Sequence, residues 1–307
     1  MAEPIVVEVR RNGVVEARHR VDAVAVRDGE VIARAGDPEH VCFMRSSSKP
    51  LQALPLVRAR DDLPDDELAI ACASHRDTPE LVAAVRALLA RAEATEDDLE
   101  LGRQDGRPPE LIHNNCSGNH AGMLALCHAR GWPTEGYRLP DHPVQRACLE
   151  VHAEAAEVEP EALETGTDGC GIVTFALTLE RMAHAFSRLE SLPGGSRVAA
   201  AMRARPDLVG GPDGADFLLM RGAPGWLAKG GAEGLLCAAG PDGIGVALKS
   251  EDGTSRAHAP ALAAFLGRLG VDLPDLAARP VLNTRDEQVG DVVVEPGQRF
   301  HDTAPTC

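Results

Sequence analysis

The sequence predicts an α/β protein whose central, mainly antiparallel sheet is built from both ends of the chain, with a helical region inserted between them. Three observations carry this prediction. The N-terminal stretch runs as strand-like segments separated by Asn-Gly and Asp-Gly turns. A second group of strand-like segments begins at Trp226. Between the two groups, apolar residues recur at helical spacing, with helix-start and helix-stop residues around them. A discontinuous sheet domain is therefore expected at residues 1–50 and 215–307 and a mainly helical domain at 51–214, with the active site between them.

Each element has its own signal. Ile5 to Val9 reads as a strand, Asn12-Gly13 as a hairpin turn and Val14 to His19 as its partner; Val21 to Val26, Asp28-Gly29 and Val31 to Ala33 repeat the pattern. Val41 to Phe43 is a strand leading into a helix that Ser46 is expected to cap. Pro50 and Pro55 predict a late start or a kink in that helix. Helical character sets in from Asp66 with Glu67 to Cys72, and Thr78-Pro79 then supplies an N-cap and a first-turn proline for a helix to about Glu93. Thr95 to Asp98 opens a short helix, and residues 105–109 form a loop. Ala121 to Arg130 is a helix stopped by Gly131 and Pro133. Pro143 to Ala156 and Leu177 to Leu189 are helices, with a polar turn at Thr165 to Gly171 and glycine-marked loops at 194–195, 210–211 and 214. Trp226 to Lys229, Gly234 to Ala239 and Gly243 to Lys249 are strands, His258 to Leu269 is a helix, and Val281-Leu282 and Gln288 to Val294 finish the sheet.

The totals exclude several function classes. A net charge of −16 argues against nucleic acid or an anionic membrane as a partner. No apolar run reaches the roughly 18 residues of a membrane span. The N-terminus lacks the basic and apolar regions of a signal peptide, so a cytoplasmic location is expected. Eight cysteines in such a chain read as reduced thiols, and Cys42, Cys72, Cys127, Cys148 and Cys237 fit core positions as small hydrophobes, with Cys307 incidental.

Chemistry enters at Ser46-Ser47-Ser48-Lys49, a Ser-x-x-Lys pattern that places Ser46 and Lys49 one helical turn apart. A serine hydroxyl needs a base beside it to attack, and lysine serves only if its pKa is lowered. Backbone N–H groups at a helix start can hold a developing oxyanion. Of the 31 basic residues only Lys49, Lys229 and Lys249 are lysines. Arginine cannot give up its proton, so the lysines that remain are candidates for work arginine cannot do. The same pattern also describes a serine-rich cap followed by a basic residue.

Further blocks occur in order along the chain: Arg45-Ser46-x-x-Lys49-Pro50-Leu51-Gln52, Ala73-Ser74-His75, His113-Asn114-x-Cys116-Ser117-Gly118-x-His120, Asp168-Gly169-Cys170-Gly171 and Lys229-x-Gly231-Ala232-Glu233-Gly234. Ser-x-x-Lys with Lys-x-Gly on a strand looks like the penicillin-recognising serine enzymes and serine glutaminases, although Gly230 replaces their hydroxyl residue. The whole set resembles the Rhizobium etli-type (class 3, asparaginase II family) L-asparaginases. The resemblance implies a serine β-lactamase-like, glutaminase-like fold, hydrolysis of L-asparagine to L-aspartate and ammonia through a serine acyl-enzyme, and a homodimer. It implies Ser46 with Lys49 and Ser74 with Lys229 as catalytic pairs, with Ser46 favoured as nucleophile and Ser74 the alternative or a relay. It places Arg45, His75, Asn115, His120, Asp168 and Gly169 at the substrate: Asp168 for the ammonium, Arg45 for the carboxylate. By residue type alone Arg45 is equally a surface charge, Asp168 a turn cap, and His75 and His120 structural histidines. The resemblance also implies a zinc ion held by Cys116 and Cys170, with Asn119 standing where the family has a lysine. Asn119, water or His120 would then complete the site, and two reduced thiols are the alternative. A glutaminase, a peptidase-like serine hydrolase and a non-catalytic zinc-thiolate protein are the competing functions.

Overall fold

A computed structural model describes residues 2–298, and Cys307 lies outside them. In chain order the elements are β1 (Ile5–Arg11), β2 (Val14–Arg27), β3 (Glu30–Ala35), β4 (Val41–Phe43), α1 (Lys49–Gln52), α2 (Leu54–Ala59), α3 (Asp65–Ala71), α4 (Pro79–Arg91), α5 (Ser117–Arg130) and α6 (Pro143–Ala156). They continue with β5 (Glu164–Thr167), β6 (Val173–Thr178), α7 (Leu179–Arg188), α8 (Gly195–Ala204), α9 (Pro206–Val209), α10 (Ala215–Gly222), β7 (Leu227–Gly231), β8 (Leu235–Gly240), β9 (Ile244–Ser250), α11 (His258–Gly267), α12 (Pro274–Ala277), β10 (Ala278–Leu282) and β11 (Gln288–Val294).

The chain divides into two units. The first comprises, among the described residues, 2–42, 178–187 and 213–298. Its sheet runs β10-β11-β1-β2-β9-β8-β7, with β3 also on β2, and each neighbouring pair is antiparallel. Both ends of the chain thus build one antiparallel sheet, as the alternating segments predicted. Asn12 and Gly13 both take positive φ (49° and 79°), which the tight β1–β2 hairpin requires. Where two strands were expected at Val14–His19 and Val21–Val26, a single strand forms. Its first half pairs with β1, and from Val21 onward it pairs with β9 and β3, so backbone bonding never lapses. Alternate residues Ile5, Val7 and Val9 join Leu219, Leu236, Val246, Leu262 and Phe265 in this unit's core. Gly245 lets the backbone of α7 rest on β9, because a Cβ there would lie 1.8 Å from the Ala183 carbonyl oxygen. α10 begins directly after Gly214, the last of the glycines read as loop, in a stretch without an expected element.

The second unit, residues 43–177 and 188–212, is mainly helical. Thr78 accepts from the Leu81 N–H to start α4, and Pro79 follows at the first turn, as expected. Gly131, in the left-handed region at φ 65°, ends α5. The expected disturbance at the prolines is a break: α1 and α2 meet at Ala53, because Pro55 has no N–H to donate. Residues 173–178, placed partly in a helix by the sequence, form β6, which pairs antiparallel with β5. No helix among the described residues is long and apolar enough to cross a membrane.

Candidate active site

The second unit gathers most of the candidate residues around one buried ammonium. Lys49 is 1% exposed, at the start of α1. Its Nζ donates to the Ala73 carbonyl at 2.5 Å, lies 3.2 Å from Ser74 Oγ and 3.3 Å from Cys116 Sγ. Ser74 is half-buried in the segment that follows α3, its own N–H bound to the Val209 carbonyl. Lys49 is therefore hydrogen-bonded to Ser74. Ser46 does not cap a helix as expected: it sits inside a single 3-10 turn, Arg45–Ser48, whose N-cap is Met44 with no side-chain cap bond. Two factors shift it there. The 3-10 turn begins upstream of Ser46, and the α-helix begins only at Lys49.

Cys116 and Cys170 are buried and free, and their sulfurs share a hydrogen bond. That bond from Cys170, together with the Lys49 ammonium, holds the Cys116 thiol well below its ordinary pKa; the same shared proton pushes Cys170 up. Cys116 is thus the thiol of the pair that gives up its proton more readily, beside the Lys49 ammonium. As a thiol it donates to Asn115 Oδ1 at 3.3 Å, and the Asn115 carbonyl accepts from the His75 N–H. A direct expectation follows. Ultraviolet thiolate absorbance should persist on acidification well below the ordinary thiol range and vanish in Cys116→Ser. Because the folded pKa is depressed, the stability it contributes is complete above the unfolded value and is lost as pH falls through the folded one. Absorbance that disappears in the ordinary thiol range would refute the pairing.

Arg45 takes φ +48°, an uncommon conformation for a residue with a side chain. Its N–H binds Thr174 Oγ1, and its Nε donates to Asp168 Oδ1 at 2.7 Å, which also accepts from the Gly169 N–H at 2.6 Å. Held apart from one another by a zwitterion, these two charges would suit its carboxylate and ammonium. Gly169 and Cys170 line a cavity of about 690 Å³ together with Glu100, Gly136 and Arg138, a size that suits a small-molecule site. His75 is 1% exposed; Nδ1 meets the Arg76 carbonyl at 2.6 Å and Nε2 meets Ser117 Oγ at 2.7 Å. Burial pushes its pKa down to about 4. His120 is fully buried with Nδ1 2.6 Å from the Tyr137 hydroxyl, and burial pushes its pKa down to about 3.

The expected metal donors are Cys116, Cys170 and Asn119. No group of three His, Cys, Asp or Glu that could hold an ion exists among the described residues. Asn119 is anchored through Nδ2 to the Ala71 carbonyl, and its buried Oδ1 has no hydrogen-bond partner. Cys116, Cys170 and Asn119 are the residues that would hold such an ion, two thiolates and one neutral amide oxygen, with water as the fourth ligand of an open site.

Lys229 lies in the first unit, 1% exposed on β7. Its Nζ donates to the Gly230 carbonyl at 2.8 Å and sits 3.9 Å from Asp216 Oδ2, which also accepts from the Gly230 N–H. Sequence reasoning missed Asp216 and Tyr137. Asp216 gives no signal beyond a lone acid in a glycine-rich stretch; Tyr137 is the chain's single tyrosine, which was a usable one.

The L-asparaginase II family model matches residues 7–294. No curated protein matches the chain. Among solved structures, Mglu in its native form is similar at 15% identity and a TM-score of 0.47, over 83% of this chain and 65% of that one. Mglu in its L-glutamate binding form in 4.3 M NaCl is similar at 15% identity and a TM-score of 0.41, over 83% and 61%. A beta-lactamase from Mycobacterium bovis is similar at 14% identity and a TM-score of 0.32, over 76% and 88%. The chain thus spans 65% of the length of the first of these structures.

Proposed function

From the premise that the chain belongs to the L-asparaginase II family, we propose that it is an amidohydrolase that releases ammonia from L-asparagine through a serine ester. The observation that carries the reading is the buried Lys49 Nζ, 3.2 Å from the half-buried Ser74 Oγ. A nucleophile and a base in hydrogen-bond reach are the minimum such chemistry needs. Lys49 must be a neutral amine to accept a proton, and the Cys116 thiolate 3.3 Å away is a second seat for the proton it sheds.

In this reading Ser74 Oγ attacks the side-chain amide carbon while its proton passes to Lys49. The carbon–nitrogen bond then breaks, Lys49 returns the proton to the leaving nitrogen, and ammonia departs from a β-aspartyl ester. Water cleaves the ester to aspartate and restores Ser74. Arg45 and Asp168 open their mutual ion pair to take the substrate's carboxylate and ammonium. Asn115 and His75, bound to each other through the backbone, hold the segment that bears Ser74. Ser46, which the resemblance favours, is the second serine to test.

The experiment compares ammonia release from asparagine and glutamine with ring opening of a chromogenic β-lactam, and maps the adduct of an electrophilic asparagine analogue by mass. Asparagine is expected to be the preferred substrate, and Ser74→Ala to abolish the adduct. An adduct that survives in Ser74→Ala and maps to Ser46 reverses the serines. Turnover of glutamine or the β-lactam instead of asparagine replaces the substrate. The same assay on Lys229→Arg reads whether the second lysine takes part.

A further inference from the structure

We propose that the cavity bounded by α10, β7, β10 and the start of α11 is a second binding site, for a small amino acid in its zwitterionic form, and that Lys229 senses its occupancy through Asp216. The sensing half rests on the amidohydrolase reading; the binding half does not.

The charges of the wall select the ligand. The cavity measures about 380 Å³ and lies wholly within the first unit, a volume at the small end for ligand sites. Asp213, Asp216, Arg256 and Arg279 line it, two charges of each sign. His258 shares the wall, and burial lowers its pKa, so it adds no charge at neutral pH. A bare anion would face two carboxylates there, and a bare cation two guanidiniums. An amino acid carries both signs on neighbouring atoms and meets each with its opposite. Asp216 is the deep end, 7% exposed. Its Oδ1 accepts from the Phe217 N–H at 2.9 Å and its Oδ2 from the Gly230 N–H at 3.1 Å. A carboxylate has about four acceptor positions, so it can also take an ammonium. Arg256 stands at the exposed end and enters no ion pair among the described residues. Among them Arg279 is paired only with the exposed Asp213, at 4.0 Å, a contact worth little at a surface. Both guanidiniums are therefore available to a carboxylate.

Asp216 is also where this cavity reaches the second lysine. The Oδ2 that takes the Gly230 N–H lies 3.9 Å from Lys229 Nζ, and Lys229 is 1% exposed. Asp216 is thus a counter-ion to a buried ammonium and a wall of the cavity at once. Gly230 lines the cavity between them, and a Cβ there would stand 3.5 Å from Asp216 Oδ2, so a larger side chain would crowd the carboxylate. A ligand ammonium on Asp216 shares the negative charge that Lys229 faces and repels the lysine. Occupancy therefore loosens the hold on Lys229, and turnover is expected to fall as the cavity fills.

The test is calorimetric titration of the full chain with L-aspartate, the product in this reading, beside asparagine kinetics with aspartate added. Arg256→Ala is the central variant, because Arg256 is exposed and has no place in the proposed chemistry. It is expected to weaken one aspartate site about tenfold, the loss of one hydrogen bond to a charged group. Succinate, which lacks the ammonium, should fill that site far more weakly than aspartate. Aspartate should lower kcat of wild type as well as raise its apparent KM, and Arg256→Ala should lose the effect on kcat and keep that on KM. Asp216→Asn should remove the site and lower kcat with no aspartate present, with KM near that of wild type. An aspartate isotherm unchanged by Arg256→Ala, or succinate filling the site as tightly as aspartate, overturns the site. Aspartate that acts on KM alone in wild type overturns the link to Lys229. Should asparagine prove not to be the substrate, the isotherms still decide the site. Should Asp216→Asn fail to fold, wild type and Arg256→Ala decide both halves.

Discussion

Lys49→Arg is expected to lower ammonia release from asparagine by about 10²–10⁴-fold, the usual loss on removing a general base. Arginine keeps the positive charge that the Cys116 thiolate faces, and it can still donate to the Ala73 carbonyl, the bonds that Lys49 makes at 3.3 Å and 2.5 Å. What it cannot do is exist as a neutral amine and accept the serine proton. The variant therefore separates charge from basicity. Thiolate absorbance should survive in it while turnover does not, and a melting temperature near that of wild type would show the fold intact. Lys49→Met, which removes both charge and base, should lose turnover and the thiolate together. Near-normal activity in Lys49→Arg would make Lys49 a structural cation that holds Cys116, and the proposed mechanism would fail at its base.

Gly118→Ala is expected to be a strongly damaging single-methyl change in the second unit, costing about 2–3 kcal/mol of stability, at the upper end for overpacking. Gly118 sits in the first turn of α5, where an added Cβ would fall 2.3 Å from the Ile70 carbonyl oxygen and 3.0 Å from its carbon. Those are backbone atoms near the end of α3, so no rotamer change relieves the overlap. Either α5 or the end of α3 must shift. The first carries Asn119 and His120 and follows Cys116, and the second leads into Ala73 and Ser74, so the site should loosen with the fold. Gly267→Ala is the control, because a Cβ there meets nothing within 4 Å; it should be neutral or slightly stabilising. Denaturant unfolding measures both. A Gly118→Ala protein within about 0.5 kcal/mol of wild type, the range of harmless surface changes, would show that the close approach carries no weight.

Local chemistry was enough to read much of the fold. Asn12-Gly13 announced a hairpin because only residues tolerant of positive φ close so short a turn. Thr78-Pro79 announced a helix start through a side-chain acceptor and a fixed φ. Strands at both ends of the chain announced a shared sheet. The order of the blocks around Ser46, Ser74, Cys116, Asp168 and Lys229 identified the family and most of the residues now found near Lys49.

Tertiary structure decided what depends on a partner distant in sequence. Val14–Arg27 is one strand because its neighbour changes from β1 to β9 and β3 midway, which no local pattern records. Ala215–Gly222 is a helix, although its flanking glycines read as loop; packing against β7 and the core at Leu219 outweighs that weak signal. Spacing placed Lys49 one turn from Ser46, and the fold brings the ammonium to Ser74 and Cys116 as well, residues far away in sequence. The single tyrosine lies in a stretch with no motif, and only folding places its hydroxyl against His120. Sequence alone determined which reactive groups this protein owns and the family they belong to. Which side chains meet Lys49, and which of the two thiols is held low, were decided by the tertiary structure. The reason is physical: protonation and hydrogen bonding depend on burial and on neighbours within about 3 Å, and a linear chain does not contain those distances.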